Sequence, residues 1–591
     1  TTAGVTYTYA TFPTEGDFTS CLVNTTNPNV IHAGSRRNLY RWNTFTGTVA
    51  IPFHGLPGEF VPDLEHGSTL LGTSTGFYKL NEVYGATSST WNGTGNWTVS
   101  GNWSSGQPDY LMNAKVASGS LTLDPGKGAE VNQLRLAPST SFTLPATSHL
   151  SLNDSVVIGS SAGGSGSFLD QTPGTSTFHG KVQSYLTNGR WHYVSAPANG
   201  AKTSSLYFPG GTQTWLKIYK ENLDDWEYIS SLNQTLTPGK GYAVWVDPAG
   251  SNETATYRGD LNKQDVPVSL EYTDALHGWN LLGNPFPCAI DWDFGTWNHV
   301  NNTGIAYVWN NGNYLSRNQI GAGSLTDGII PMGQGFFVQA TGAAASLNIP
   351  LDARINSNQS FYKSTSQTPF MLNLSVSKDG KSDNTTIGFY PAASVMFDEG
   401  MDALRLSGSS GAPTLQTVLG GKPLSINILP ELTDSVEVPV QFAAPDAGLW
   451  TLSFTGVESF TGTRITLTDK VTGEVTTVAP GTNYQFNAVA GSPTDRFFIR
   501  FRHSGTGIGE MNNQNAPRVS IHNGQLEIDW KQCPKSVSEV SVYSVLGQQL
   551  GAWKLEPAIH QSLSLPEISD QMVLVSIHSE NQTYNIKTVV K

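Results

Sequence analysis

LTPGKGYAVWV (236–246) and IIPMGQGFFVQ (329–339) carry one pattern twice: Pro-x-Gly-x-Gly, then a short run of aromatic and β-branched residues. GRWHYVSAP (189–197) and HGWNLLGNPFP (277–287) form a second matched pair, upstream of the first. Trp191 aligns with Trp279 at an offset of 88 (279 − 191), and Gly241 with Gly335 at an offset of 94 (335 − 241). Each copy therefore reads as a Trp-bearing strand, a middle hairpin, a glycine turn and an aromatic strand. Glycine releases the backbone for positive φ at such turns, and the flanking aromatics supply buried area. The expectation is two copies of one small β-domain, about 187–265 and 266–350, with Trp191 and Trp279 in equivalent buried positions.

Outward from this duplication the period of two persists, and no 3.6-residue amphipathic stretch stands out, so the chain reads as all-β. GSRRNLYRWN (34–43) aligns without gaps to GTSTGFYKLN (72–81), an offset of 38 (72 − 34). That is close to the length of a propeller blade, and residues 1–86 are expected to be propeller-like blade repeats whose ring closure draws on sequence upstream of Thr1. Because the chain opens TTAGVTYTYA, its start reads as processed or truncated. Residues 87–186 hold Trp91, Trp97 and Trp103 in WNGTGNWTVSGNWSSG, followed by the short strands LTL, LRL, FTL and LSL. Such spacing predicts a β-solenoid-like unit ended by SSAGGSGS (160–167).

Clean alternation in FMLNLSVS, SINILP, VEVPVQF, WTLSFTG and RFFIRF predicts a β-sandwich over 351–503. The Gly/Asn-rich stretch 504–516 reads as a linker, and 517–591 as an Ig-like sandwich of five to seven strands. Within it, EVSVYSVLGQQL alternates in strand fashion at Val540 and Val542 and stops at Gly547. VVK at the terminus is expected to lie as a neighbouring strand.

Composition narrows the function classes. A net charge of −13 opposes a phosphate backbone, so nucleic acid is not an expected partner. Charged residues are 13% of the chain against about 25% in an average soluble domain. With 61 glycines, that is the balance of turn-rich β-structure at a cell surface. Cys21, Cys288 and Cys533 fall in different units without metal-site spacing, and neither a cofactor nor a disulfide framework is expected.

Catalytic signals are weak. GTSTG (72–76) fits the G-x-S-x-G elbow around Ser74, but no helix follows it, and a turn is the expected role. Asp291 and Asp293 share one face of a strand and are weak candidates for calcium. Trp91, Trp97 and Trp103 are candidate glycan contacts if exposed, with core packing as the competing role.

VSVYSVLGQQL (540–550), the LSLP strand and the terminal KTVVK (587–591) together resemble the C-terminal sorting domain of proteins exported through the type IX secretion system of the Bacteroidota. GWNLLGNPFPCAIDWD, IIPMGQGFFV, SDNTTIGFY, MFDEGMDALRL and DRFFIRF are similar to segments beside that domain in large secreted proteins of the same bacteria. The resemblance implies a sorting signal carried by Val540, Val542, Tyr543, Gly547, Lys587, Val589, Val590 and Lys591. It implies the type IX translocon and its outer-membrane shuttle protein as partners. Ser155 and Ser435, in Asp-Ser-Val triplets, match the O-glycosylation pattern of such exported proteins. The function expected is that of a non-catalytic secreted or cell-surface protein, an adhesin or structural component, outer-membrane associated and with a surface glycan or host ligand. The alternatives are the C-terminal part of a secreted hydrolase with its catalytic domain upstream, or a glycan-binding module.

Overall fold

The computed structural model describes residues 18–23, 30–35, 39–53, 70–73, 76–79, 84–85, 87–208, 215–247, 251–275, 277–310, 312–356, 370–433, 435–503, 517–522, 524–530, 533–536, 538–544, 548–565, 571–579 and 582–590. The fold is all-β, and the longest helical turn among these residues is Thr203–Leu206.

Phe18–Val23, Val30–Ser35, Leu39–Asn43 and Thr48–Phe53 form a four-stranded antiparallel meander, the layout of one propeller blade. The hairpin Leu70–Thr73 with Gly76–Lys79 repeats its two middle strands. Gly34 pairs with Leu39 and Gly72 with Phe77, so the 38-residue offset of the sequence reappears as hydrogen-bond register. A buried, two-pronged ion pair fixes the meander to the strands after Ser88, Arg41 Nη1 and Nη2 meeting Glu130 Oε2 and Oε1 at 2.5 and 2.7 Å. Gly128 sits so close to the Thr46 carbonyl that no side chain fits between them.

From Ser88 the chain winds as a parallel β-solenoid. Ser88–Asn92, Asn113–Ser118, Gln133–Leu136, Val156–Ile158 and His179–Leu186 stack in parallel on one face, Ser120–Thr122, Ser141–Leu144 and Ser167–Asp170 on another. Trp91, Val116, Leu136, Ile158 and Val182 occupy one ladder position, and the Phe142 and Phe168 rings stack with centroids 5.8 Å apart. The Gly-rich stretch 160–167 does not end this unit. It makes a small hairpin, Ser160–Ser161 with Gly164–Ser165, and the rungs continue beyond it. The last rung is closed by Glu253–Leu261, which lies antiparallel on His179–Leu186. Lys263 then reaches back to Asp170 at 3.1 Å, with both side chains buried. A boundary at 186 therefore cuts through a continuous sheet.

The duplication is two four-stranded sheets of one topology. In the first, Arg190–Val194, Tyr242–Val246, Trp215–Lys220 and Asp225–Tyr228 lie side by side in that order; in the second, Trp279–Gly283, Gly335–Gln339, Ala306–Asn310 and Asn313–Arg317 do. Trp191 pairs with Trp245 and Trp279 with Gln339, which reproduces both offsets together. The two tryptophans are equivalent, though each is partly rather than fully buried.

The sheets meet through an approximate two-fold relation. Val194 bridges Gln334, and its counterpart Leu282 bridges Lys240. Ser195 N donates to Gly333 O at 2.8 Å, and Gly283 N donates to Gly239 O at 3.0 Å. The glycine turn explains the fit. Gly239 and Gly333 have φ of +78° and +68°, whereas Gly241 and Gly335 serve close approach. A Cβ on Gly241 would lie 2.4 Å from Leu282 O, and one on Gly335 2.8 Å from Tyr193 Cβ.

Residues 370–503 form one long sheet that curls around its own core instead of two separate layers. Tyr484, near one end of the sheet, donates its hydroxyl to Asp469 near the other, and Arg496 pairs with the same buried carboxylate at 2.9 Å. Arg354–Ile355 belongs to the duplicated unit, pairing with Ala289–Asp291, so the boundary at 350 also falls within a sheet. At the C-terminus Arg518–His522, Gln525–Asp529 and His560–Ser564 make one sheet, and Gln549–Leu555, Ser538–Ser544, Gln571–Ser579 and Gln582–Val590 make the other. The final strand does not adjoin Ser538–Ser544; it pairs with Gln571–Ser579 at the sheet's edge. The linker expected over 504–516 lies outside the described residues.

Gly241→Ala is expected to destabilise the duplicated unit by about 1–3 kcal/mol through overpacking against Leu281 and Leu282. Gly101→Ala, which points into open space, should leave the thermal midpoint unchanged in the same scan.

Candidate functional site

The three solenoid tryptophans are a hydrophobic cap and are not a sugar surface. Trp91, Trp97 and Trp103 are 0%, 3% and 5% exposed and pack edge to face at 5.3 and 4.9 Å. The indole N–H groups of Trp91 and Trp103 donate to Gly93 O and Trp97 O, so these polar edges are satisfied internally. The candidate glycan contact at these residues is thereby corrected: no ring face is open.

Ser155 is also buried, its hydroxyl accepting from Gln133 Nε2 at 3.2 Å, and it is closed to a glycosyl donor. Ser435 is exposed at the start of a strand. Asp291 and Asp293 do not form an oxygen cage. Arg317 Nε approaches both oxygens of Asp293 at 2.9 and 3.1 Å, and Asp291 accepts from the Asp293 N–H. Burial pushes the Asp291 carboxyl above its usual range. Among the described residues, no group of three or more His, Cys, Asp or Glu is placed to hold a metal.

In the C-terminal module Val540 and Val542 point into the core, and Tyr543 faces the other side, half-buried. Ser74, Gly547 and Lys591 lie outside the described residues, as do the side chains of Lys587, Val589 and Val590.

The structure brings together a group that no motif announced. Strand alternation sends Trp191 and Tyr193, Trp215, Lys217 and Tyr219, Trp226 and Tyr228, and Trp245 to one face of the first copy's sheet. Its opposite face, with Val194, Leu216, Tyr242 and Val244, is core. Half of the aromatic face is covered by the second copy. Tyr193 lies between Trp226 and Trp309, at 5.3 and 5.7 Å, and its hydroxyl meets that of Tyr314 at 3.1 Å. Burial raises the phenol pKa of both tyrosines, which stay neutral at physiological pH.

The other half is open. Trp191, Trp245 and Trp215 form a row across three adjacent strands. Trp215 and Trp245 are inclined by 28° with centroids 6.2 Å apart. Trp215 is 38% exposed and Tyr228 60%. Between them the Lys217 ammonium sits 5.1 Å from the Trp191 ring centre and 4.5 Å from that of Tyr228. Among the described residues no carboxylate pairs with it. The alternation W-L-K-I-Y and the Trp in YAVWV were visible in the sequence, but nothing there told which face would be left uncovered.

A family model described as "Domain of unknown function (DUF8693)" matches residues 84–501, which take in the solenoid, the duplicated unit and the curled sheet. No curated protein matches the chain. Similar solved structures include a β-glucuronidase of Faecalibacterium prausnitzii, at 11% identity and a TM-score of 0.11, covering 71% of this chain and 47% of that one. The chain thus spans about half the length of the glucuronidase. Another is the extracellular domain of the putative hybrid two-component system BT4673 from B. thetaiotaomicron, at 9% identity and a TM-score of 0.12, covering 99% of this chain and 76% of that one. A biofilm-associated protein BSP domain matches at 9% identity and a TM-score of 0.11, covering 70% of this chain and 92% of that one. Scores this low carry no argument about fold or activity.

Because the solenoid indoles are core, Trp97→Ala is expected to cost about 3–5 kcal/mol of stability. Chemical denaturation should register the loss as an early transition of residues 84–356.

Proposed function

The chain belongs to the DUF8693 family over residues 84–501, and on that premise we propose that it is a non-catalytic protein of the cell surface or extracellular space, exported through its C-terminal module. The observation that carries this reading is the independence of that module. Its core of Ile521, Leu526, Ile528, Val540, Val542, Val573, Val575 and Ile577 draws only on residues of the module itself, beyond the end of the family match. Seven strands in two sheets give a folded object with readable edges.

The resemblance of 540–550 and 587–591 to type IX sorting domains assigns that object to the secretion translocon and its outer-membrane shuttle protein. Val540 and Val542 contribute by holding the fold, since their side chains face inward. Recognition then falls to the outward face and to the edge strands Gln549–Leu555 and Gln582–Val590, whose free backbone groups suit strand addition. Upstream, the exported part is a rigid β-array suited to adhesion or to a structural role, since parallel rungs and curled sheets present long, stable surfaces.

Deleting 517–591 is expected to leave the protein periplasmic, with the upstream domains still folded. Fusing the segment to an unrelated folded reporter should bring that reporter to the surface of a type IX-competent cell. Surface accessibility to added protease reads both arms, and a deleted chain that still reaches the surface refutes the sorting role.

A further inference from the structure

The two copies of the duplicated unit share one topology, yet the same face meets different surroundings in each. In the second copy Leu281, Ile305, Tyr307 and Phe337 pack against Ala403, Ile426 and Ile428 of the curled sheet. The Ser316 hydroxyl meets that of Ser425 at 3.1 Å. Register places Ile305, Ser316 and Gln339 of this covered face where the first copy has Trp215, Tyr228 and Trp245. The side chains that suit a protein neighbour are aliphatic, small or amide. Those on the open copy are two indoles and a phenol.

We infer that the open face of the first copy, built from Trp191, Trp215, Trp245, Tyr228 and Lys217, is a glycan-binding platform that stacks the rings of a pyranose chain. A pyranose offers flat C–H faces and a rim of oxygens, so it needs π-surfaces for the one and donors for the other. Trp215 and Trp245 present neighbouring indoles inclined by only 28°, 6.2 Å apart, which suits consecutive rings of one chain better than a single compact ligand. Tyr228 supplies a hydroxyl at the exposed edge. Lys217 supplies three N–H donors that, among the described residues, meet only ring faces. A row of tryptophans left partly in water on a sheet marks a binding surface. Stacked nucleobases would need the same rings, but the net charge of −13 repels their phosphates. This platform is independent of the export route proposed above, and its loss would leave sorting intact.

The test is calorimetric titration of the full chain with cellohexaose, mannohexaose, xylohexaose and hexagalacturonate, followed in parallel by tryptophan fluorescence. At least one oligosaccharide is expected to bind and to change the emission. Trp215→Ala and Tyr228→Ala should each weaken that binding roughly tenfold, the scale of removing one stacked ring. Both side chains are largely in solvent, so far-ultraviolet dichroism and the melting midpoint should be unchanged. Lys217→Met, which keeps the aliphatic stem, should lower affinity by removing the donors. The inference is overturned if none of the four sugars binds, or if both aromatic variants bind as the parent chain does. It is equally overturned if ultracentrifugation shows a dimer that Trp215→Ala dissolves, since the face would then cover a second copy.

Discussion

The central constraint on this molecule is the backbone contact that two glycine turns permit. Packed sheets normally keep about 10 Å between them because side chains stand in the way. Where Gly241 and Gly335 press on the tryptophan strand of the other copy there is no Cβ, and the two backbones come within hydrogen-bonding distance. Because the contact is made twice and reciprocally, it fixes both distance and orientation. The consequences run outward. Tyr193 is brought between Trp226 and Trp309, and Met332, carried on the second turn, is delivered into the solenoid core. The second copy is also held where its own aromatic face can meet the curled sheet.

The legible part of the sequence was the part that repeats. Offsets of 38, 88 and 94 residues reappear as strand registers because a repeated strand pairs with a repeated partner in the same phase. The L-x-L rungs were legible for the same reason, as alternation around a coil. Contacts between units were not. Glu253–Leu261 alternates like any other strand, and its assignment to the solenoid edge depends on a surface assembled from residues some seventy positions earlier, at His179–Leu186. The six-residue spacing of Trp91, Trp97 and Trp103 told that they would gather, yet the same spacing serves a buried cap and an open platform equally well. Trp215 and Trp245 present the converse case, in which ordinary strand alternation yields an open aromatic face only because, among the described residues, nothing lies over it.

Duplication usually gives each copy the same task. Here the two sheets keep one topology and divide the labour of their faces, one serving as an internal joint and the other facing solvent. The joint side has exchanged large rings for Ile305, Ser316 and Gln339, and burial then rewards close packing over ring area. A single fold thus acts once as mortar and once as surface.

The strand that closes the solenoid carries a consequence for how the chain comes into being. A growing polypeptide completes every rung through Leu186 long before Glu253–Leu261 exists, and throughout that interval the final rung is an unpaired parallel edge, a template for pairing with other chains. The closing strand arrives only with most of the first copy, and Asn356, which bridges Ser167 and Thr143, arrives a further hundred or so residues later. Residues 84–356 therefore mature as one long-range cooperative unit, with slow, late closure and high contact order. For a protein made in one compartment and used in another, that late closure is a window in which the chain depends on protection by chaperones.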